Sequence, residues 1–255
     1  MDNASYTTLT RQSGLVNELQ VIAHNIANQS TVGYRQEGLV FGEYVKTVDG
    51  GDSLSMATAN IHKTSLLQGQ LTQTNGKFDL AIEGSGFFLI NTPEGERLTR
   101  AGNFVTAGNG RLVTQDGFAV LDAGQAEILV PRQAQDVNIS ADGTISSNGK
   151  PIAEIGLFRP INPLDLRHKD GVMFAAESGV EKIEKTNVLH GFLEGSNVSP
   201  ISEITRMIEV QRAYEMGQKF NDKEDKRILS PTSLCVVART PPAEYSPPNP
   251  LLTKE

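Results

Sequence analysis

Apolar positions near the N-terminus recur at the spacing of an α-helix. Within residues 3–28 they fall at Leu9, Leu15, Val16, Leu19, Ile22, Ala23 and Ile26, and from Leu15 onward each has another three or four positions away. Side chains at this spacing share one face, so we predict a helix over residues 3–28. Three of these apolar positions repeat every seven residues, which is typical of coiled coils. Gly33 and the polar residues before it are expected to end the helix.

The same spacing returns in residues 199–228. Ser199 suits the N-cap and Pro200 the first helical position, while Glu203 places a negative charge near the positive end of the helix dipole. One face of this predicted helix carries Ile201, Ile204, Met207, Ile208, Gln211 and Tyr214. At about 1.5 Å per residue the helix would extend roughly 40 Å, which is long enough to pair with the first helix.

Between the two helical patterns, short apolar runs alternate with turn sequences. The turns are Asn75-Gly76, Asn109-Gly110, Asp116-Gly117, Asp142-Gly143 and Asn148-Gly149. Asn-Gly and Asp-Gly favour tight hairpin turns, in which both central residues adopt positive φ. The apolar runs cover residues 78–82, 86–90, 111–114, 119–121 and 128–130. Short strands at this spacing predict an antiparallel β domain.

These patterns predict an α+β fold, in which N- and C-terminal helices pair as a coiled-coil-like element beside a central antiparallel β domain. The predicted units are an N-terminal assembly helix (1–32), an extended linker (33–75), the β domain (76–190), a C-terminal assembly helix (191–229) and a proline-rich tail (230–255). Within the linker, residues 50–53 suggest a turn.

The tail differs sharply from the rest of the chain. Residues 230–255 hold six of the twelve prolines and the single cysteine, Cys235. Because proline lacks a backbone N–H and restricts φ, we expect no helix beyond about residue 230. A frameshift and a lineage-specific extension both explain such a change, and the alternative reading frames of the coding DNA would distinguish them.

Composition and charge exclude several classes of function. The net charge of −7 disfavours nucleic-acid binding. No run approaches the ~20 apolar residues that span a bilayer, so we expect no membrane-spanning helix. The N-terminus lacks the features of a cleaved signal peptide, so we expect none. The histidines, at positions 24, 62, 168 and 190, lack metal-ligand spacing and are expected to be exposed or hydrogen-bonded. We therefore expect no catalytic, cofactor or metal site, and no enzyme.

Three blocks of sequence resemble bacterial flagellar rod and hook proteins. Residues 23–35 (AHNIANQSTVGYR) are similar to the pattern A-N-N-[IL]-A-N-x-x-T-x-G-[FY]-[KR], with His24 in place of the usual Asn. Residues 79–88 (DLAIEGSGFF) are similar to D-[VL]-A-I-x-G-x-G-F-F, and TRAGNF follows at 99–104. The third block is LEGSNV at 193–198 with TRMIEVQRAYE at 205–215. The blocks come in family order, and residues 11–14 and 40–41 most resemble the proximal rod protein.

The resemblance implies a structural subunit of the flagellar basal-body rod. Such subunits polymerise helically, with copies of themselves and with other rod subunits, to form the drive shaft and export channel. The resemblance also implies a place in the periplasmic rod, reached through the flagellar type III export apparatus without a cleaved signal peptide. The terminal helices would order fully only when neighbouring subunits supply the missing contacts. The alternative is a β-domain module for surface binding or adhesion.

The predicted assembly interface lies on the two helices. It comprises Leu15, Leu19, Ile22, Asn25, Ile26, Asn28, Ile204, Met207, Ile208, Gln211 and Tyr214. Asn25 and Asn28 are expected to bond open carbonyls where the first helix ends. Gln211 and Arg212 are expected to fix the register of the helix pair.

Overall fold

Two helices flank antiparallel β-structure in this computed structural model, which describes residues 2–46, 54–131, 137–184 and 187–236. Helix α1 spans Asp2–Ala27 and helix α2 spans Pro200–Val236. The strands are β1 (Glu37–Lys46), β2 (Leu54–Thr64), β3 (Leu71–Gln73), β4 (Leu80–Ile82), β5 (Phe87–Thr92), β6 (Gly95–Thr99), β7 (Val105–Thr106), β8 (Leu112–Val113), β9 (Ala119–Val120), β10 (Val137–Ile139), β11 (Thr144–Ser147), β12 (Lys150–Glu154), β13 (Leu157–Pro160), β14 (Leu166–His168), β15 (Met173–Ala176), β16 (Val180–Lys182), β17 (Val188–His190) and β18 (Phe192–Glu194).

The largest sheet has the order β14-β15-β6-β5-β9-β8-β7, and β13 joins it by pairing with both β5 and β16. Smaller sheets are β10-β11-β12, β17-β4 and β18-β3. The last two pairs connect the start of the β domain to the segment that leads into α2. The α+β prediction is confirmed at this level, with the two terminal helices packed against each other.

Strand β5 is buried on both faces. Because successive side chains of a strand point to opposite sides, Phe88 and Ile90 enter one core, while Phe87 and Leu89 enter a second. The first core includes Leu80, Ile82, Leu112, Val120, Ile145, Ile155 and Leu157, and the second includes Leu98, Leu121, Phe158, Leu166 and Phe174. The apolar run at 86–90, predicted as a strand, is therefore the centre of the β domain.

The segment 33–75, predicted to be a linker, contains regular structure. Strands β1 and β2 form a long antiparallel hairpin that packs on α1, with a bulge between Val40 and Gly42, and β3 pairs with β18. The first strand does hold Val40, Phe41, Tyr44 and Val45, which are types enriched in strands, but they come in adjacent pairs and give no period of two. Residues 50–53, predicted to be a turn, lie outside the described residues. The domain boundaries themselves stay predictions.

Only one of the five predicted turns has positive φ at both central residues. At Asn148-Gly149 the angles are 49° and 76°, as a tight hairpin requires. At the turns before Arg111 and Thr144 only the glycine is positive. There the Asn109 and Asp142 side chains accept hydrogen bonds from the backbone two residues on, which holds their own backbone in the ordinary region. The run at 128–130, predicted as a strand, is an isolated bridge from Leu129 to Arg111, with further backbone hydrogen bonds between Ile128 and both Val120 and Leu112.

Helix α2 continues past Pro231 to Val236, so the expectation of no helix beyond about residue 230 is wrong. Proline has a φ close to the helical value, and it removes one intrahelical hydrogen bond. A proline can therefore kink a helix rather than end it. The remaining prolines, in residues 237–255, lie outside the described residues.

Gly33 lets the chain leaving α1 pass against the β domain. Its φ is +71°, and a Cβ at this position would lie 2.2 Å from the backbone nitrogen of Ala101. Its own N–H donates to the carbonyl of Glu194 at 2.8 Å. A side chain here would therefore push the helix pair away from the β domain.

We expect Gly33→Ala to lower the free energy of unfolding by about 3 kcal/mol or more, because backbone strain and a clash with backbone act together. Gly117→Ala is the matched control, since Gly117 also has positive φ, +87°, with nothing within 4 Å of the added Cβ. That control should lose only about 1–2 kcal/mol. Urea unfolding of both variants measures the difference, and equal losses would show that the close approach to Ala101 contributes nothing.

Candidate assembly site

The two terminal helices pack antiparallel along a short apolar seam. Leu15 and Ile22 of α1 meet Val210 of α2, and these three side chains are buried. Half-buried residues around them are Leu19, Ile26, Met207, Ala213 and Tyr214. Six of the predicted interface residues (Leu15, Leu19, Ile22, Ile26, Met207 and Tyr214) thus pack within the subunit. Val210, which the sequence interpretation missed, is the most buried apolar residue within positions 200–227 of α2, where burial is described, at 2% exposure.

A second apolar stripe on α2 faces solvent. Ile201 is 80% exposed, and Ile204 and Ile208 are 49% and 45% exposed. Ile208 follows Met207 directly, and consecutive residues are roughly 100° apart around a helix, so this stripe lies beside the seam. The face predicted for α2 therefore combined the seam with the solvent-facing stripe. Helical periodicity alone does not show which face of α2 packs against α1 of the same subunit.

Helix α1 also carries a second stripe. Leu9, Val16 and Ala23, the positions that repeat every seven residues, are all exposed. Val16 follows Leu15 and Ala23 follows Ile22, so this stripe again lies roughly 100° from the seam. Each helix of the pair thus presents one apolar surface to its partner and another to solvent.

Polar contacts at the edge of the seam fix its register. The guanidinium of Arg206 donates to the carboxylate of Glu18 at 2.7 Å, and this bond raises the pKa of Arg206. Near the other end, Asn221 donates to the Gln12 side chain at 3.3 Å. Gln211 and Arg212, predicted to have this role, are exposed. Because the Arg206 side chain is half exposed, its ion pair adds little to the stability of the fold, and its main effect is to align α1 with α2.

Asn25 joins α1 to the β-hairpin and to α2. Its Oδ1 accepts from the backbone N–H of Glu37 and from the Tyr34 hydroxyl, both at 3.0 Å. Its Nδ2 donates to the Glu37 carbonyl at 2.7 Å and to Glu203 Oε2 at 3.1 Å. The amide therefore pairs with the Glu37 backbone as a neighbouring strand would. The expected bond to an open helix carbonyl is replaced by this role.

Asn28 does satisfy the end of α1. Its Nδ2 donates to the carbonyl of His24 at 2.9 Å, and its Oδ1 accepts from Thr31 Oγ1 at 3.1 Å. This is the predicted contact with an open helix carbonyl, and it closes the turn that leads to Gly33.

A buried carboxylate between two arginines anchors the chain on both sides of the β domain. Glu194 Oε1 lies 2.9 Å from Arg35 Nη2, and Oε2 lies 3.0 Å from Arg100 Nη1; all three side chains are at most 2% exposed. Glu194 also accepts from the Gly69 N–H at 2.9 Å. Burial lowers the pKa of Arg100 to about 10 and lowers that of Arg35, while Glu194 opposes both shifts.

Sequence interpretation missed this ion triad, although each member lies in one of the three blocks. Arg35 ends the first block, Arg100 belongs to TRAGNF, and Glu194 belongs to LEGSNV. The sequence signal that could have revealed the triad was the presence of two arginines and one glutamate in three separate blocks. Glu203, predicted only as a charge at the start of α2, is also buried and accepts from Gln36 Nε2 at 2.6 Å.

The histidine prediction is wrong for His168. Its side chain is only 9% exposed, and Nε2 is buried without a hydrogen bond of normal geometry among the described residues. In the described part of the chain, no group of three or more His, Cys, Asp or Glu is placed to hold a metal ion. Nor is any described helix long and apolar enough to cross a membrane.

We expect Glu194→Gln to lower the free energy of unfolding by about 3–5 kcal/mol, because it leaves two buried guanidinium groups without a counter-charge. Glu181→Gln is the matched control, since Glu181 pairs with Arg159 on the surface and both side chains are about half exposed. That change should cost at most about 1 kcal/mol. Chemical denaturation provides both values, and a small loss in Glu194→Gln would mean that the triad does not anchor the junction.

Asn25→Asp should also destabilise the chain, by about 3 kcal/mol, since the new carboxylate would face the Glu203 carboxylate and the Glu37 carbonyl without a donor. The control is Asn28→Asp, at a half-buried position where a single bond to His24 is lost. It should cost about 1 kcal/mol or less. Thermal unfolding of both variants tests the order, and a larger loss in the control would contradict the role assigned to Asn25.

Two family models match the chain. The description "Flagellar hook protein FlgE/F/G D1 domain" matches residues 81–147, in the β domain. The description "Flagellar basal body rod FlgEFG protein C-terminal" matches residues 189–226, which include Glu194 and most of α2. The first region includes Arg100 of the ion triad, and only the second contributes to the helix pair.

Whole-chain relatives agree with these models. The chain is 38% identical to the flagellar basal-body rod protein FlgF of Caulobacter vibrioides, over 87% of this chain and 93% of the relative. It is 36% identical to FlgF of Mesorhizobium japonicum, over 84% and 90% respectively. It is 32% identical to the rod protein FlgG of Bacillus subtilis, over 87% and 94%. The chain therefore belongs to the flagellar basal-body rod protein family that includes FlgF and FlgG, whose members are structural proteins and not enzymes.

Proposed function

We propose that the chain is a subunit of the proximal rod, and that it polymerises with copies of itself and with other rod subunits through its terminal helices. The observation that carries this proposal is the exposed apolar stripe on each helix of the pair. The internal seam already holds the two helices together, so the stripes at Ile204 and Val16 are free to meet neighbouring subunits. FlgF relatives at 36–38% identity support the rod assignment.

The predicted interface residues then divide into three roles. Those of the seam, such as Leu15 and Tyr214, align the helices within one subunit in a coiled-coil-like pair. Asn25 and Asn28 fix the pair to the β domain. Ile204, Ile208 and Gln211 face the neighbours. Full burial of an isoleucine contributes about 1.5–3 kcal/mol, so a few such residues per contact are sufficient for a polymer with many contacts.

The arrangement of these surfaces favours an open helical assembly. The stripes on α1 and α2 are different surfaces, so a contact between one subunit's α1 stripe and the next subunit's α2 stripe is heterologous. Heterologous contacts that do not close into a ring generate a filament or tube. A tube of this kind would transmit torque as a drive shaft, and it would leave an axial export channel.

A groove beside the β-hairpin supplies further surface for neighbours. It has a volume of about 930 Å³ and lies between the β-hairpin and the segment before β14. Leu67 and Leu164 line it and are 75% and 85% exposed. Large apolar side chains at this exposure favour burial by another subunit.

We further propose that the chain reaches the periplasmic rod through the flagellar type III export apparatus, without a cleaved signal peptide. The similarity to flagellar basal-body rod proteins supports this proposal. Mass determination of the subunit in purified basal bodies tests this point, and an N-terminus shortened by signal cleavage would contradict it.

Ile208→Asp should block assembly but leave the isolated subunit folded. Ile208 is exposed and outside the seam, so a charge there costs little in the monomer and much in a contact that buries it. We expect loss of motility and of rods in purified basal bodies when this variant replaces the wild-type protein, with an unchanged unfolding midpoint of the purified chain.

Two variants control this experiment. Val105→Asp adds the same charge at a matched exposure, 46% against 45%, but on the β domain, and it should permit motility. Val210→Asp places the charge in the seam and should lower the unfolding midpoint of the helix pair. Normal motility in Ile208→Asp, or equal motility defects in Ile208→Asp and Val105→Asp, would exclude the α2 stripe as the assembly surface.

A further inference from the structure

Three aromatic rings meet where α1, the β-hairpin and the β domain join. His24 projects from the last turn of α1, Tyr34 follows Gly33, and His168 ends β14. Their ring centroids are 5.7–5.8 Å apart in all three pairs, with edge-to-face geometry. The Tyr34 hydroxyl lies 3.1 Å from His24 Nδ1 and also donates to Asn25. This cluster thus connects the helix pair to the β domain through two titratable side chains.

One carboxylate faces the cluster from the hairpin. Glu37 Oε1 lies 3.8 Å from His168 Nδ1, and Oε2 lies 4.0 Å from Nδ1 of His62, which is half exposed on β2. Asp170, in the turn after β14, adds a second negative charge near His168. The backbone of Glu37 also makes two hydrogen bonds to the Asn25 side chain. Changes of charge at His168 are therefore transmitted directly to the hairpin and α1.

The position of His168 favours the neutral ring. Its burial lowers its pKa, Glu37 raises it, and His24 lowers it again, so the net direction is downward. Asp170 and the Gly171 backbone favour the charged ring more weakly. Phe174, from β15, packs on the ring at 5.1 Å between centroids and offers no hydrogen bond to Nε2.

The direction of the pH effect follows from this arrangement. The unfolded chain binds a proton on its histidines near the ordinary pKa of 6.5, whereas the folded chain binds one at His168 only at lower pH. The unfolded or locally opened state thus holds more protons in this range, and stability falls as the pH drops below about 6.5. The charged and titratable groups that act on His168 lie at the junction, and its ring touches the second core only at Phe174, so we expect the effect to centre on the junction.

We propose that His24, Tyr34 and His168 form a pH-sensitive latch between the helix pair and the β domain. The latch holds at neutral pH, where the imidazoles pack as uncharged rings. In mildly acidic solution a proton on His168 places a charge against His24 in a buried site, and α1 and the hairpin separate from β14. The joint between the two parts of the subunit is then looser while each part remains folded.

Hydrogen exchange on the purified full-length chain tests the latch. Between pH 7.5 and pH 5.5, after correction for intrinsic exchange rates, protection of residues 24–40 and 166–174 should fall by about threefold or more, while protection of β5 is unchanged. His168→Gln keeps a polar side chain but does not titrate, so the pH dependence should disappear. His190→Gln is the control, since His190 contacts the Lys77 carbonyl elsewhere in the β domain, and it should retain the pH dependence.

NMR titration of the wild-type imidazoles provides a test that requires no variant. A His168 resonance that titrates below the ordinary histidine value of about 6.5 supports the latch. A His168 resonance that titrates at or above the ordinary value overturns it, and so does undiminished pH dependence in His168→Gln.

Discussion

The rest of the structure depends on one buried carboxylate. Glu194, the last residue of β18, holds Arg35 from the segment between α1 and β1 and Arg100 directly after β6. A buried ion is costly unless it is paired and hydrogen-bonded, and here the carboxylate also receives the Gly69 N–H. Both carboxylate oxygens are paired, although Nε of Arg35 and Nε of Arg100 are buried without a hydrogen bond among the described residues. The triad therefore specifies how the two ends of the chain meet the β domain.

Two neighbouring contacts rely on this placement. Gly33 allows the backbone to approach Ala101 directly, and Asn25 then reaches the first residue of the hairpin. Because each contact involves segments that are distant in sequence, disturbing one removes the geometry that the others need. Most of the residues that make these contacts lie inside the three short blocks, namely Asn25, Gly33, Arg35, Arg100, Ala101 and Glu194.

Much of the fold could be predicted from the sequence. The two helices, the N-cap of α2 and the strand at 86–90 follow from periodicity and turn chemistry, which are local signals. The hairpin of β1 and β2 could not be predicted in this way, because its strands lack strict alternation, and the burial of Val210 could not, because it depends on a distant partner. The choice between Val210 and Ile208 as the seam residue requires knowing which face of α2 meets α1. The buried His168 was missed for the same reason, since its neighbours come from α1 and β1.

The antiparallel pairing of α1 and α2 has a consequence for how the chain folds. The side chains that meet in it are 178 residues apart for Asn25 and Glu203 and 209 apart for Gln12 and Asn221. Closing a loop of that length by chance costs conformational entropy before any contact compensates for it. The short hairpins of the β domain, whose partners are close in sequence, reduce this cost if they form first. Since chains emerge from their N-terminus, α1 is made long before its partner, and it spends that interval with both of its apolar stripes uncovered.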